Sequence, residues 1–214
     1  MSYIDIFPLF PSAVFVSTVE GNLFFDQLKN ENYQKCEIDN LYVTRDKKIL
    51  NRYPELKDML MNKFNCIVTD ILKYERTKFD ITTSWLSKAL KNCQTEYHSH
   101  QNCFYAGVLY FQNFDNNEEA GDFQIDSMGL IPQTISPSKP TEYNIYNSPW
   151  WNFKPKKNMV IFFPSYLKHR MGRHNLDDPR YCLAFNIMPC GTFGFGDSSI
   201  SLELNTNDSL QSII

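Results

Sequence analysis

Three of the four histidines in the chain, His98, His100 and His169, stand where an imidazole could do chemistry. His98 and His100 are separated by one residue, so on an extended segment they share a face. Two imidazoles on one face can close on one metal ion, and the ligand suits iron, zinc, copper or nickel. Such a pair alone is a weak signal, since it also fits surface loops. His169 follows the apolar run Val160-Ile161-Phe162-Phe163 and the turn Pro164-Ser165-Tyr166-Leu167-Lys168. A histidine just past a core strand can be directed into the mouth of a barrel; a hydrogen-bonded loop histidine would read the same way. His174, crowded by Arg173, Asn175, Asp177 and Asp178, reads as solvated. Arg180 lies 11 positions after His169 and opens the stretch Tyr181-Cys182-Leu183-Ala184-Phe185-Asn186. A guanidinium at the edge of a buried strand is costly unless it meets an anion. Its fork matches a carboxylate bidentately, whether that of a ligand or that of Asp177 or Asp178.

The elements that must position these residues fall in two zones with no linker between them. The N-terminal zone, up to about Lys91, carries the helical signal. From Tyr53 to Tyr74 the apolar residues Leu56, Met59, Leu60, Phe64, Ile67, Val68, Ile71 and Leu72 recur at three- and four-residue steps, which predicts an amphipathic helix with Pro54 in its first turn. A shorter helix is expected over Leu23 to Lys29, and a strand over Pro11 to Ser17. The second zone reads as strands: Phe104 to Phe111, Phe123 and Ile125 with polar neighbours, Asn158 to Phe163, and Tyr181 to Ile187. Turn-rich pieces separate them, at Asp115-Asn116-Asn117-Glu118-Glu119 and Ile135-Ser136-Pro137-Ser138-Lys139-Pro140. The pattern predicts an α+β, mainly β chain in which helices buttress an antiparallel sandwich or barrel. It predicts one domain over 1–214, with a helical buttress at about 20–80 and a strand core at about 81–205.

Composition narrows the function classes. A chain of 214 residues suffices for one sizeable core and is short for two. The net charge is only -3 and the pI about 5.8, with Lys and Arg scattered, which argues against nucleic acid. The six cysteines form no CxxC pair and read as reduced thiols. No apolar run is long enough to cross a bilayer and no secretory leader is legible. These features predict a cytoplasmic protein without a membrane partner; they do not give its oligomeric state.

Taken in order along the chain, the pieces resemble the iron(II)/2-oxoglutarate-dependent oxygenases, and more closely a subfamily found in phages and bacteria. The resemblance is carried by His98-Ser99-His100-Gln101-Asn102, Ala106-Gly107-Val108-Leu109-Tyr110, Gly121-Asp122-Phe123-Gln124-Ile125-Asp126, Phe162-Phe163-Pro164-Ser165-Tyr166-Leu167-Lys168-His169, and Arg180-Tyr181-Cys182-Leu183-Ala184-Phe185-Asn186. Leu9-Phe10-Pro11-Ser12 and Ser84-Trp85 add to it. It covers most of the chain and is strongest from Ser84 to Asn186. It implies a double-stranded β-helix, a cupin-like jelly roll with flanking N-terminal helices, and a metal at the mouth of the roll. The implied cofactors are Fe(II), 2-oxoglutarate as cosubstrate and O2, and the implied reaction is of the hydroxylase type. If the gene is a phage's, the cytoplasm is that of the host. Matched residue by residue, His98 and His169 are the two histidine ligands and Arg180 pairs with the distal carboxylate of 2-oxoglutarate, to which Tyr110 could add a hydroxyl.

Two departures from that pattern matter. His100 stands where the superfamily usually has a carboxylate. The third ligand is then His100 itself, Asp126 or Asp122 on the next strand, or water. Cys182 replaces the small hydroxyl residue often found two positions after the arginine. Two other readings keep the histidines: a cupin-like dioxygenase without 2-oxoglutarate, and a non-catalytic jelly-roll binding or virion protein. Members of that superfamily act on protein side chains, nucleobases and small metabolites, and fold does not choose among them; the absence of a basic stripe favours a small molecule or a protein side chain as the substrate. The long loop from Met128 to Trp151 is expected to help define its pocket, with Trp150 and Trp151 at its end and Trp85 opposite. A surface loop pinned by two buried indoles is the other account of that segment.

Overall fold

A computed structural model describes residues 5–6, 8, 11–21, 24–74, 77–112, 114, 118–127 and 138–204. In chain order its elements are β1 (Phe15–Thr18), α1 (Phe25–Lys29), β2 (Tyr33–Lys35), β3 (Leu41–Thr44), α2 (Pro54–Cys66), β4 (Lys78–Ala89), β5 (Tyr105–Tyr110), β6 (Phe123–Asp126), β7 (Trp150–Phe153), β8 (Met159–Pro164), β9 (His169–Met171), β10 (Arg180–Phe193) and β11 (Ile200–Leu202). All paired strands are antiparallel. The large sheet runs β1-β8-β5-β10-β4-β3-β2, with β11 folded onto the far end of β10; the small sheet runs β7-β6-β9. The chain is mainly β.

The sequence dictates which face each strand turns where. Along β5, Tyr105 and Leu109 join a cluster with Leu56, Leu60 and Phe64 of α2, while Ala106, Val108 and Tyr110 join Phe123 and Ile125 of β6. The large sheet is therefore covered by helix on one face and by the small sheet on the other. That is why β5 and β8 are buried at every position and read as unbroken apolar runs. Gly107 sits under Phe185, its partner on β10; a Cβ there would lie 2.3 Å from the ring. In α2 the stripe Leu56, Leu60, Phe64 recurs every four residues, and Pro54 occupies the first turn as expected. The helix passes at Ile67–Ile71 into a wider turn. Each fully buried side chain of this stripe contributes about 1.5–3 kcal/mol.

Other expectations need adjusting. The stretch read as helical up to Lys91 also holds β2, β3 and the 12-residue β4, which lies beside β10 in the large sheet. The short helix begins at Phe25; Leu23 lies outside the described residues, as do Leu9 and Phe10, 115–117, and 128–137 of the long loop. Trp150 and Trp151 belong to a strand, β7, and both are exposed. No helix among the described residues is long and apolar enough to cross a membrane.

Candidate metal centre

The segment before β5 is laid against β9 as an added strip of the small sheet. Thr95 N–H donates to Met171 O, and His98 and His169 exchange backbone hydrogen bonds of 3.0 and 2.9 Å. This brings His98 directly beside His169. Two residues on, His100 N–H donates to Ser165 O at 2.9 Å, carrying the strip across to the end of β8. The ring centroids of His98, His100 and His169 lie 4.4 to 5.6 Å apart, and one nitrogen from each falls within 4.8 Å of the others.

Hydrogen bonds choose which nitrogen that is. His98 Nδ1 lies 2.9 Å from Glu96 O and His169 Nδ1 3.0 Å from Leu167 O. A carbonyl can only accept, so both Nδ1 atoms carry the proton and the lone pair is on Nε2. His100 Nδ1 lies 2.5 Å from Asn186 Oδ1, whose amide nitrogen donates to Thr83 Oγ1. All three rings thus present an unprotonated Nε2, the tautomer a divalent metal requires. Burial pushes the His169 imidazole down to about 3, its bond to Leu167 opposing and His98 and His100 reinforcing the shift. Burial also lowers His100, against the bond to Asn186. Phe163 and Phe123 pack on the His169 ring, at 4.6 and 5.4 Å.

The histidines open into a cavity of about 380 Å³ floored by β10 and β4. Arg180 lies at its other end, 3% exposed, with its guanidinium 4.9 Å from the Tyr110 ring and one N–H on the Met171 sulfur at 3.0 Å. Its Nε is buried with no partner. Neither Asp177 nor Asp178 neutralises it: Asp177 pairs with Lys91, and among the described residues no carboxylate lies within ion-pair distance. Burial holds the Tyr110 phenol well above its usual range, with Arg180 opposing, so it remains a donor. A buried cation lacking an anion, beside a phenol and sharing a cavity with a three-imidazole cluster, has the chemistry to accept a carboxylate at one end and a metal ion at the other. The donor set fits both groups the sequence implied.

The family model described as "Putative 2OG-Fe(II) oxygenase" matches residues 83–186, which contain every residue of this constellation. Over those residues the chain carries a 2OG-Fe(II) oxygenase domain. Among solved structures similar to this oxygenase is HygX from Streptomyces hygroscopicus with nickel and 2-oxoglutarate bound, with TM-score 0.60, 12% identity and 83% of each chain covered. A prolyl-4-hydroxylase from Pseudomonas putida matches with TM-score 0.55 and 10% identity over 84% of this chain and 94% of that one. A prolyl hydroxylase from Trichoplax adhaerens, in complex with a hypoxia inducible factor peptide fragment, matches with TM-score 0.53 and 12% identity over 81% and 83%. At such identities the likeness is one of fold. No curated protein matches the sequence.

The oxygenase places the remaining sequence-derived candidates unevenly. Asp126 lies on β6 one position past Ile125, the partner of His169, and is not part of the three-histidine cluster. Trp85 lines the cavity, its ring 5.7 Å from that of His100. Trp151 pairs with Ile125, two strands from His169, and Trp150 pairs with Asp126 and turns outward beside Tyr143. Neither is among the cavity's lining residues. His174 is a correction: it is fully buried, not solvated, with its ring between Ala120 O and Asp178 O at 3.1 and 2.8 Å. Its polar neighbours face out while its own side chain is turned in. Sequence reasoning gave Asn186 no role; its signal was parity, two-residue steps along β10 from Arg180.

Proposed function

We propose that His98, His100 and His169 hold iron(II) through their Nε2 atoms, that Arg180 and Tyr110 grip the distal carboxylate of 2-oxoglutarate, and that the enzyme hydroxylates a small molecule or a protein side chain. In this reading the two sheets are the halves of a double-stranded β-helix, buttressed by α1 and α2 within a single domain. What carries it is one juxtaposition: three unprotonated imidazole nitrogens and an unpaired buried guanidinium facing the same cavity.

When bound there, iron and 2-oxoglutarate supply the oxidising chemistry, with O2 consumed and succinate and CO2 released. The chain's own residues do the rest. Asn186, Glu96 and Leu167 fix the three tautomers. Arg180 orients the dicarboxylic acid by a charge-assisted pair in a dry recess. Phe123 and Phe163 keep water from the His169 side of the centre. Trp85 offers the substrate an indole face beside His100.

Anaerobic addition of iron(II) and 2-oxoglutarate tests the assignment. The visible charge-transfer band of the chelate should develop in the wild type, be absent in His169→Ala, and require far more 2-oxoglutarate in Arg180→Ala. A full-intensity band in His169→Ala would end the ligand assignment. An unchanged 2-oxoglutarate requirement in Arg180→Ala would end the anchor.

A further inference from the structure

Strand register across the middle of the large sheet shows which side chains share the blind end of the cavity. Cys182 pairs with Ser87 on β4 and with Tyr110 on β5. Opposed residues of a sheet point to one face, so Ser87, Cys182 and Tyr110 form a single rung, one step from Arg180. All four line the cavity. Toward the histidines the next rung is Trp85, Ala184 and Val108; after it comes Thr83, Asn186 and Ala106, where Asn186 is bonded to His100. The floor between the two ends is small at Ala184, leaving length for an extended dicarboxylic acid.

A carboxylate brings about four lone-pair sites, and a satisfied buried one accepts several donors. Arg180 and Tyr110 supply part of that set. Cys182, between them and Ser87, is a weak donor. Ser87 has a hydroxyl whose hydrogen-bond contact is the Cys182 sulfur at 2.9 Å. Sulfur is a poor acceptor, so turning that O–H toward a carboxylate oxygen sacrifices little. Thr95 also lines the cavity, but it stands on the strip beside β9, away from this rung.

We propose that Ser87, from the neighbouring strand, is a further donor to the distal carboxylate of 2-oxoglutarate, completing a grip with Arg180 and Tyr110. The proposal rests on the assignment of Arg180 above, and a pair of ligands separates the two. 2-Oxopentanoate has the same 2-oxo acid head as 2-oxoglutarate and lacks the distal carboxylate. Dissociation constants for both are measured by calorimetry on the nickel(II)-loaded protein, without turnover. In Ser87→Ala the constant for 2-oxoglutarate should rise about tenfold, as for loss of one hydrogen bond to a charged group, while that for 2-oxopentanoate stays unchanged. Equal weakening of both ligands would mean a general disturbance of the strand, and no weakening of either would mean no contact; each overturns the proposal. Arg180→Ala is the control on the underlying reading: if it leaves the preference for 2-oxoglutarate over 2-oxopentanoate intact, that reading fails, whatever Ser87→Ala does.

Discussion

His100 takes its orientation from Asn186, and Asn186 takes its own from Thr83, so one of the three proposed ligands depends on a chain of two side chains outside the cluster. Asn186→Leu keeps the approximate volume and removes the acceptor. The His100 ring then loses its fixed tautomer, and metal affinity, measured by competition with a chromophoric chelator, should fall roughly 10- to 100-fold. Asn186→Asp retains an acceptor and should keep tight binding; wild-type affinity in Asn186→Leu would show that the bond does not position the ligand. The identity of the third ligand has its own test. His100→Ala should lose the metal and Asp126→Ala should keep it, and the opposite outcome in the same titration would select the carboxylate. The histidines and Arg180 were legible from the sequence because their types are scarce and their chemistry is narrow. Asn186 and Ser87 were not, because an amide or a hydroxyl becomes informative only once cross-strand register says what it faces. His174 was misjudged for the converse reason: its sequence neighbours are polar, but a residue's own side chain can turn inward from a polar stretch.

β10 serves the site along its length, presenting Arg180, Cys182 and Ala184 to the cavity and Asn186 to His100, while Leu183, Phe185 and Ile187 join the helix-side core. Its neighbour β4 was not recognised as a strand, and the cause is physical. The register slips between Asn186 and Ile187, where Thr83 and Ile81 are the partners and Thr82 is left over. This bulge reverses the alternation between Ile81 and Ser84, and Ala89 is buried on the opposite face from Leu86, so the buried positions run Ile81, Ser84, Leu86, Ala89. Steps of three, two and three resemble a helical stripe more than a strand. β5 and β8 were legible because burial on both faces leaves a continuous apolar run. The same two-sided burial makes β5 intolerant of added volume. Gly107→Ala would place a methyl 2.3 Å from the ring of Phe185, which is fully buried and packed against Phe162. Overpacking of this kind costs about 1–3 kcal/mol. Chemical denaturation should show that loss with an unchanged m-value, and because the new methyl points to the helix side, metal affinity below the transition should be unaltered. Stability equal to wild type would mean the ring can step aside at no cost.

At the scale of the molecule, the histidine cluster is also a clasp between layers. His169 belongs to the small sheet and His98 to the strip beside it, whereas His100 is tied to Ser165 at the end of β8 and to Asn186 of the large sheet. A metal on all three therefore bridges the two sheets as well as serving chemistry, a coupling invisible before the strand partners are known. The metal-free state is correspondingly sensitive to acid. Folding holds the His169 imidazole neutral down to about pH 3, while the unfolded chain takes that proton near its ordinary value of 6.5. Between those limits the unfolded state binds more protons, so stability falls as pH falls below 6.5. Metal binds only the folded, unprotonated cluster and stabilises by mass action, about 2.7 kcal/mol at a hundred times the dissociation constant. For a chain of this length that raises the melting temperature by roughly 5–10 °C. Nickel(II) should produce such a rise at neutral pH, 2-oxoglutarate should add to it, and a chelator should reverse it. In Arg180→Ala the metal increment should survive and the 2-oxoglutarate increment should largely vanish. A melting temperature indifferent to nickel in the wild type would mean that the three imidazoles do not close on one ion, and the bridge between the sheets would have to be abandoned with it.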